Sequence, residues 1–485
     1  MHNRREFLKS AGAVSLGLSM VSNLHAKNSK ETPNIVIYLS DDQSRYDYGC
    51  YGNEKDATPI TDALAKESMV FDSAFTAQAI CAPSRATIFT GLNPLKHGLY
   101  INHTKLRSGL KTIVDYLKPL GYEMVKAGKT HVKPKNYLKW DVDLGFENDR
   151  DILDNLPAKK KSLPIKKLSQ YFSKKRKKPF CLFLASGLPH GPYTDSPKRK
   201  VEQTFKPPFE KSKGKFLQGY YDSIDAKERE LKKVLELIES KNLKENTIFI
   251  YTSDHGNGKR AKYSCYDSGL RIPFIMRWPG KLKPGRTSEL FNYTDIIPTL
   301  VDIAGGNVVK NIDGVSFWPT LKKTEKSSRK YTYGVMCNQG TLFRHYFPIR
   351  SVHDGRYHYV HNFNAMDVLK RSGKENDFWL KHGAQKHKYH NAVELELFDT
   401  FNDPFEMKNL AKLPEHQSKL KELRGEMDRW LKEQGDYLSE YGENKPVYFK
   451  TTKNLDEPGR LHKFPESQQG TIKKLVNPHT FGVKS

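Results

Sequence analysis

Apolar positions along the chain alternate between runs and helical spacings. Residues 34–39, Asn-Ile-Val-Ile-Tyr-Leu, form a β-branched run that predicts a buried strand, with Ser40-Asp41-Asp42 at its carboxyl end. Residues 180–185, Phe-Cys-Leu-Phe-Leu-Ala, predict a second buried strand and lead through Ser186 to His190, and residues 247–252 predict a third before Asp254-His255-Gly256. Shorter strand signals cover residues 70–74, 122–127 and 272–278. Between them lie helical patterns: a stretch opened by Pro59, an amphipathic one over residues 112–120, a long charged one over 220–241, and one over 295–304. Strands alternating with helices predict the α/β class, a mostly parallel sheet covered on both faces. Ligands of such sheets gather beyond the carboxyl ends of the strands. Asp41-Asp42, His190 and Asp254-His255 all fall there, so one site assembled from distant sequence is expected.

After about Leu321 the texture changes. Residues 356–360 and 395–398 alternate as strands, and Leu420, Leu423, Met427 and Leu431 mark an amphipathic helix. The expected organisation is a leader over residues 1–26, a main domain over 27–330, a small α+β domain over 331–440 and a basic tail over 441–485. Lys159-Lys160-Lys161 and the basic stretch at 174–178 predict solvated loops.

Composition adds partners rather than fold. In 485 residues, 37% hydrophobic and 28% charged content excludes a disordered chain or a collagen-like fibre. The balance of 81 Lys+Arg against 55 Asp+Glu leaves +26, which suits an anionic polymer, a membrane surface or nucleic acid. Nucleic acid has charge alone behind it, with no helix-turn-helix, zinc or RRM pattern. No apolar run after the N-terminus reaches the roughly 18–20 residues that a membrane span requires. Five Cys leave at least one unpaired. The leader has Arg4-Arg5, an apolar stretch over 11–21 and a small residue at Ala26, the pattern of a twin-arginine export signal. A periplasmic or secreted protein is expected.

The sharpest motif is Cys81-Ala82-Pro83-Ser84-Arg85, followed by Ala86-Thr87-Ile88-Phe89-Thr90-Gly91. Its companions are Asp41-Asp42, Gly128-Lys129-Thr130-His131, His190, Asp254-His255-Gly256 and Lys262 before Tyr266-Asp-Ser-Gly-Leu-Arg-Ile-Pro. Together with Asp403-Pro404-Phe405-Glu406 and Asn409-Leu410-Ala411, this set resembles the type I, formylglycine-dependent sulfatases, from about Asn34 to Leu410. The resemblance leans toward the sulfamidase-like and polysaccharide-degrading branch.

The resemblance implies an alkaline-phosphatase-like α/β/α sandwich with a smaller C-terminal α+β domain. It implies that Cys81 is oxidised to formylglycine by a sulfatase-maturing enzyme, and that the hydrated aldehyde attacks sulfur. Asp41, Asp42, Cys81 as modified, Asp254 and His255 are the implied metal ligands. A cluster of carboxylate oxygens favours one Ca²⁺ over Mg²⁺. Lys129 and Lys262 would bind sulfate oxygens, Arg85 would hold the modified residue and the carboxylates, and His131 would orient the nucleophile or assist its deprotonation. His190 would protonate the departing oxygen, His103 would touch substrate, and His97 is read as packing near a turn.

Each requirement has a chemical reason. A sulfate ester repels nucleophiles and leaves an alkoxide behind, so its hydrolysis calls for a cation, fixed positive charges, a strong nucleophile and a proton donor. The implied substrate is a sulfated polysaccharide or oligosaccharide, algal ulvan or carrageenan favoured over a heparan-type glycosaminoglycan. A phosphate or phosphonate monoester hydrolase and a non-catalytic polyanion-binding protein are the competing functions.

Overall fold

The computed structural model describes residues 32–53, 58–99, 102, 105–193, 215–257, 261–327, 329–336, 345–346, 349–363, 394–436, 438 and 449–450. The leader, His103, Cys337 and almost all of the C-terminal tail lie outside them.

Eight strands form the main sheet, in the order Val142–Asp143, Glu123–Gly128, Phe180–Pro189, Asn34–Asp41, Thr247–Ser253, Phe274–Arg277, Met69–Phe71 and Gly285–Thr287. The strand Asn34–Asp41 sits at its centre, parallel to both neighbours, with Ile35 opposite Cys181 on one side and Ile248 on the other. Alternate side chains of this strand feed two separate cores. Ile35, Ile37 and Leu39 join residues of the helices Cys81–Thr90, Ile113–Leu117 and Ile296–Ile303. Val36 and Tyr38 join residues of Pro59–Lys66, Ile165–Ser173 and the long helix Lys215–Ser240. Both faces of the sheet are therefore covered, as its continuous apolar strands require. An α/β/α sandwich is the result.

The sheet is parallel except around Phe274–Arg277, which runs antiparallel to both Thr247–Ser253 and Met69–Phe71. The strand expected over 70–74 divides into Met69–Phe71 and Ala74–Phe75, parted by a turn at Asp72-Ser73, and Ala74–Phe75 pairs instead with Phe291–Asn292.

A second, antiparallel sheet follows, built from Thr332–Met336, Ile349–His353, Tyr357–Asn362 and Leu395–Asp399. One face, through Val335, Val352, Tyr359 and Leu397, packs on Leu423, Met427 and Trp430 of the helix Gln417–Gln434. The opposite face, through Met336, Ile349, Val360 and Phe398, packs on Ala79 and Ile80 and on Cys265, Tyr266 and Leu270. The small sheet thus presses against the segments beside Cys81 and Lys262. A buried ionic seam runs along this junction: Asp267 N donates to Glu406 Oε2 at 3.0 Å, and His358 Nδ1 pairs with Glu406 Oε1. From the expected tail, Phe449–Lys450 pairs with His345–Tyr346.

Among the described residues Cys50, Cys81, Cys181 and Cys265 form no disulfide. Among the described residues no helix is long and apolar enough to cross a membrane.

Candidate active site

The carboxyl ends of the central strands converge on one buried pocket. Asp41 ends its strand and Asp42 follows at φ 60, where its N–H donates to Asp254 Oδ1 at 3.0 Å. The helix Cys81–Thr90 enters from beneath and is buried along its whole length. Ile80 offers its first turn no side-chain cap, and Asn102 Oδ1 instead accepts from Ala82 N–H at 3.1 Å. Gly91, at φ 67, ends the helix.

Cys81 is therefore held at a helix N-terminus facing the carboxylates. Its Sγ lies 3.3 Å from Asp42 Oδ1, 3.3 Å from His255 Nε2 and 3.6 Å from Lys262 Nζ. Burial, Asp42 and Asp41 push this thiol up, but Lys262 and Lys129 act against them and it comes down to about 6.

Three carboxylates face three fixed cations. One turn past Cys81, the Arg85 guanidinium is fully buried. Its Nε donates to Asp254 Oδ2 at 3.0 Å, its Nη2 lies 3.3 Å from Asp41 Oδ1, and its Nη1 donates to the Lys129 carbonyl. Lys129 Nζ reaches Asp41 Oδ2 at 2.5 Å and Lys262 Nζ reaches Asp42 Oδ2 at 2.6 Å. Burial opposes the charge of Asp41, yet Lys129 and Arg85 hold it far below the usual carboxylate range. Asp42 is likewise held low against burial, by Lys262 and His255. Burial and the neighbouring Asp41 push Asp254 up to about 7.

Two histidines complete the pocket. His255 Nδ1 is 2.8 Å from the Gly256 carbonyl, and its Nε2 is 2.9 Å from Asp42 Oδ1. Burial works against a charged His255, but Asp254 and Asp42 raise it well above the ordinary value. His190 follows the strand Phe180–Pro189, with Nδ1 2.8 Å from the Gly191 carbonyl and Nε2 3.6 Å from Asp42 Oδ2. A hydrogen bond with Cys81 raises it, burial lowers it, and Asp42 and Asp41 raise it further.

Gly128 sets the position of Lys129. It adopts φ 87, and a Cβ there would fall 2.0 Å from the Ala185 carbonyl oxygen, so no other residue lets the strands run this close.

The structure thus brings Asp41, Asp42, Cys81, Arg85, Lys129, His190, Asp254, His255 and Lys262 together. His131 lies two residues past Lys129 on the same loop, half-buried at φ 57. His97 is buried beside a turn, its Nδ1 accepting from Leu99 N–H at 3.0 Å. His103 lies outside the described residues. Sequence reasoning missed Asn102, the surrogate cap, and Ser84, whose hydroxyl donates to the Asp254 carbonyl. It also misplaced Lys160, expected in a solvated loop. Lys160 is buried, and its ammonium donates to the His190 carbonyl.

The family model described as Sulfatase matches residues 33–306, more than half of the chain. The chain belongs to the sulfatase family. A second model, N-sulphoglucosamine sulphohydrolase, C-terminal, matches residues 257–433. An "Ulvan-active sulfatase" of Formosa agariphila is 42% identical over 459 residues, covering 92% of this chain and 89% of that protein. The structure of a 2-O GAG sulfatase superposes with TM-score 0.68 at 22% identity, covering 85% of this chain and 94% of the other. That of Ps i-CgsB in complex with k-i-k-neocarrahexaose superposes with TM-score 0.62 at 22% identity, covering 82% and 93%. This sulfatase therefore has the alkaline-phosphatase-like sandwich with an added C-terminal antiparallel sheet, and it is an enzyme.

Sulfatases employ a divalent metal, and the residues present fit one. Ligating atoms of Asp42, Cys81, Asp254 and His255 all lie within 4.8 Å of one another, all buried. Asp41 Oδ1 is buried and takes no hydrogen bond among the described residues. A carboxylate-rich donor set suits a hard cation. The Gly256 carbonyl anchors His255 through Nδ1, which leaves Nε2 for the pocket, the usual arrangement of a ligating histidine. A second group, Asp267, His358 and Glu406, also has metal-compatible spacing. There Arg271 Nη1 at 3.3 Å and His353 Nε2 at 3.5 Å already face Asp267 Oδ2, so the cluster reads as the ionic seam between the sheets.

Proposed function

We propose that this sulfatase removes sulfate from a polysaccharide or its oligosaccharides, with algal ulvan the favoured class. The observation that carries the substrate class is the 42% identity with an ulvan-active sulfatase along 92% of the chain. A net charge of +26 supports it, since a basic protein concentrates a polyanionic substrate.

In this reading Asp41, Asp42, Asp254 and His255 hold one Ca²⁺, and Cys81 is oxidised to formylglycine. When bound, the metal would supply Lewis acidity, and residue 81 in its oxidised form would supply the oxygen nucleophile. The remaining work falls to this chain's own side chains. Lys129 and Lys262 bind sulfate oxygens and stabilise the charge that builds there as the ester bond breaks. Arg85 fixes both Asp41 and Asp254 and favours their charged forms. His190 holds a proton on Nε2 and gives it to the departing sugar oxygen, while the Gly191 carbonyl fixes the ring through Nδ1. His131 orients the nucleophile from the Lys129 loop. Burial of Asp41, Asp254 and Arg85 strengthens the charge interactions among them.

Cys81 is only 1% exposed, so a maturing enzyme must reach it before the fold closes. That order of events agrees with the twin-arginine pattern of residues 1–26, a route for folded cargo, and with an enzyme of the periplasm or exterior.

A second reading, action on N-linked or ester sulfate of a heparan-type glycan, is favoured by the sulphohydrolase match at residues 257–433. Sulfate release from ulvan oligosaccharides, carrageenan oligosaccharides, N-sulfated heparan fragments and p-nitrophenyl sulfate decides between them. The proposal expects ulvan fragments to lead and the aryl ester to trail. Leading turnover of the N-sulfated fragments would replace it with the second reading. A chelator should abolish turnover and Ca²⁺ should restore it.

A further inference from the structure

Lys160 is the middle residue of three consecutive lysines, yet it alone is buried. Only 6% of it is exposed, while Lys159 and Lys161 face solvent. Among the described residues no carboxylate closes on its ammonium. Its Nζ donates to the main-chain carbonyl of His190 and lies 5.6 Å from the centroid of the Tyr193 ring. Burying a lysine costs side-chain entropy and desolvation, and an apolar residue would fill the same space without either cost. The placement is therefore best explained by what the ammonium holds.

What it holds is the peptide that aims His190. The imidazole is tethered through Nδ1 to the Gly191 carbonyl at 2.8 Å. The peptide between residues 190 and 191 carries the carbonyl that Lys160 grips, so its orientation governs where Gly191 lies and how the ring is turned. Opposite Nδ1, Nε2 looks toward Asp42 at 3.6 Å and the Cys81 side chain. Lys160 also feels the fields of Asp41 and Asp42 and the repulsion of Lys129; burial, the largest influence, brings it down to about 8.

We infer that Lys160 is a positioning residue for leaving-group protonation, its ammonium fixing the His190–Gly191 peptide so that His190 Nε2 faces the ester oxygen. The inference rests on the reading of His190 as the proton donor. Lys160 acts through His190, so its effect must follow the need for a proton. A sugar alkoxide needs one, whereas a strongly acidic phenol departs unaided.

The test uses the matured full chain carrying Lys160→Met, Lys160→Arg or His190→Ala, on a sulfated oligosaccharide and on an aryl sulfate with an acidic phenol. His190→Ala is expected to lower kcat on the oligosaccharide by about 100-fold or more and to spare the aryl ester. Lys160→Met should show the same selectivity at roughly 10-fold, with KM nearly unchanged, and Lys160→Arg, which keeps the donors, should recover most of the rate. Should the Met variant not fold, Lys160→Ala, which also removes the donors, carries the same comparison. Equal losses on both substrates, or no loss on the oligosaccharide, in the Lys160 variant without donors while His190→Ala remains selective would overturn the inference alone. A His190→Ala enzyme without selectivity would overturn the proton-donor reading and the inference with it.

Discussion

Arg85 Nη2 lies 3.0 Å from Asp254 Oδ2, with both side chains sealed from solvent. The pair joins a helix to a strand end 169 residues away and also serves Asp41 at 3.3 Å. Removing the guanidinium strands buried carboxylates, so Arg85→Met should lower stability by about 3–5 kcal/mol and abolish turnover. Urea unfolding of the two proteins measures this, and a loss under about 1 kcal/mol would show that the carboxylates find other partners.

Gly128→Ala should harm both fold and activity. The new Cβ would stand 2.0 Å from the Ala185 oxygen, which also accepts from Lys129 N–H at 2.8 Å, and the residue would be strained at φ 87. A cost of about 2 kcal/mol or more is expected, together with a fall in kcat as Lys129 shifts. An unchanged melting temperature would contradict the close strand approach.

Asp47 gives the protein a pH-dependent stability. Its carboxylate is buried and accepts from Tyr220, Ser44 and Tyr221; burial pushes it up to about 6 against those bonds. In the unfolded chain an Asp titrates near ~3.9, so between these values the native state binds the extra proton. The stabilisation is full at acidic pH below the unfolded value and is lost as pH rises through the folded one. Asp47→Asn should therefore gain on the wild type by about 2 kcal/mol between about pH 4.5 and 7.5, read from parallel denaturation curves. A difference independent of pH would show that Asp47 is not the group responsible.

The strand ends were legible because continuous apolar runs closing on Asp41, His190 and Asp254 carry both the sheet and its chemistry in one pattern. Direction was not: Phe274–Arg277 is a short apolar run, and nothing within it distinguishes its antiparallel course from a parallel one. The turn at Asp72-Ser73 that divides the strand expected over 70–74 rests on two polar residues inside that window. The long helix begins at Lys215 rather than at 220, since Gly219 reads as punctuation that tertiary packing overrides. Asn102 and Lys160 left no trace at all. A cap supplied from 20 residues away and a single buried lysine among exposed ones are products of the tertiary fold.

The central claim is that a buried pocket around residue 81 cleaves sulfate esters of a polysaccharide. Its most direct test is sulfate released from ulvan oligosaccharides, measured by ion chromatography, for the enzyme co-expressed with a sulfatase-maturing enzyme and for its Cys81→Ala variant. Steady release by the former and none by the latter, with both equally folded, is the expected result. Equal release by the two proteins would place the chemistry elsewhere and contradict the account.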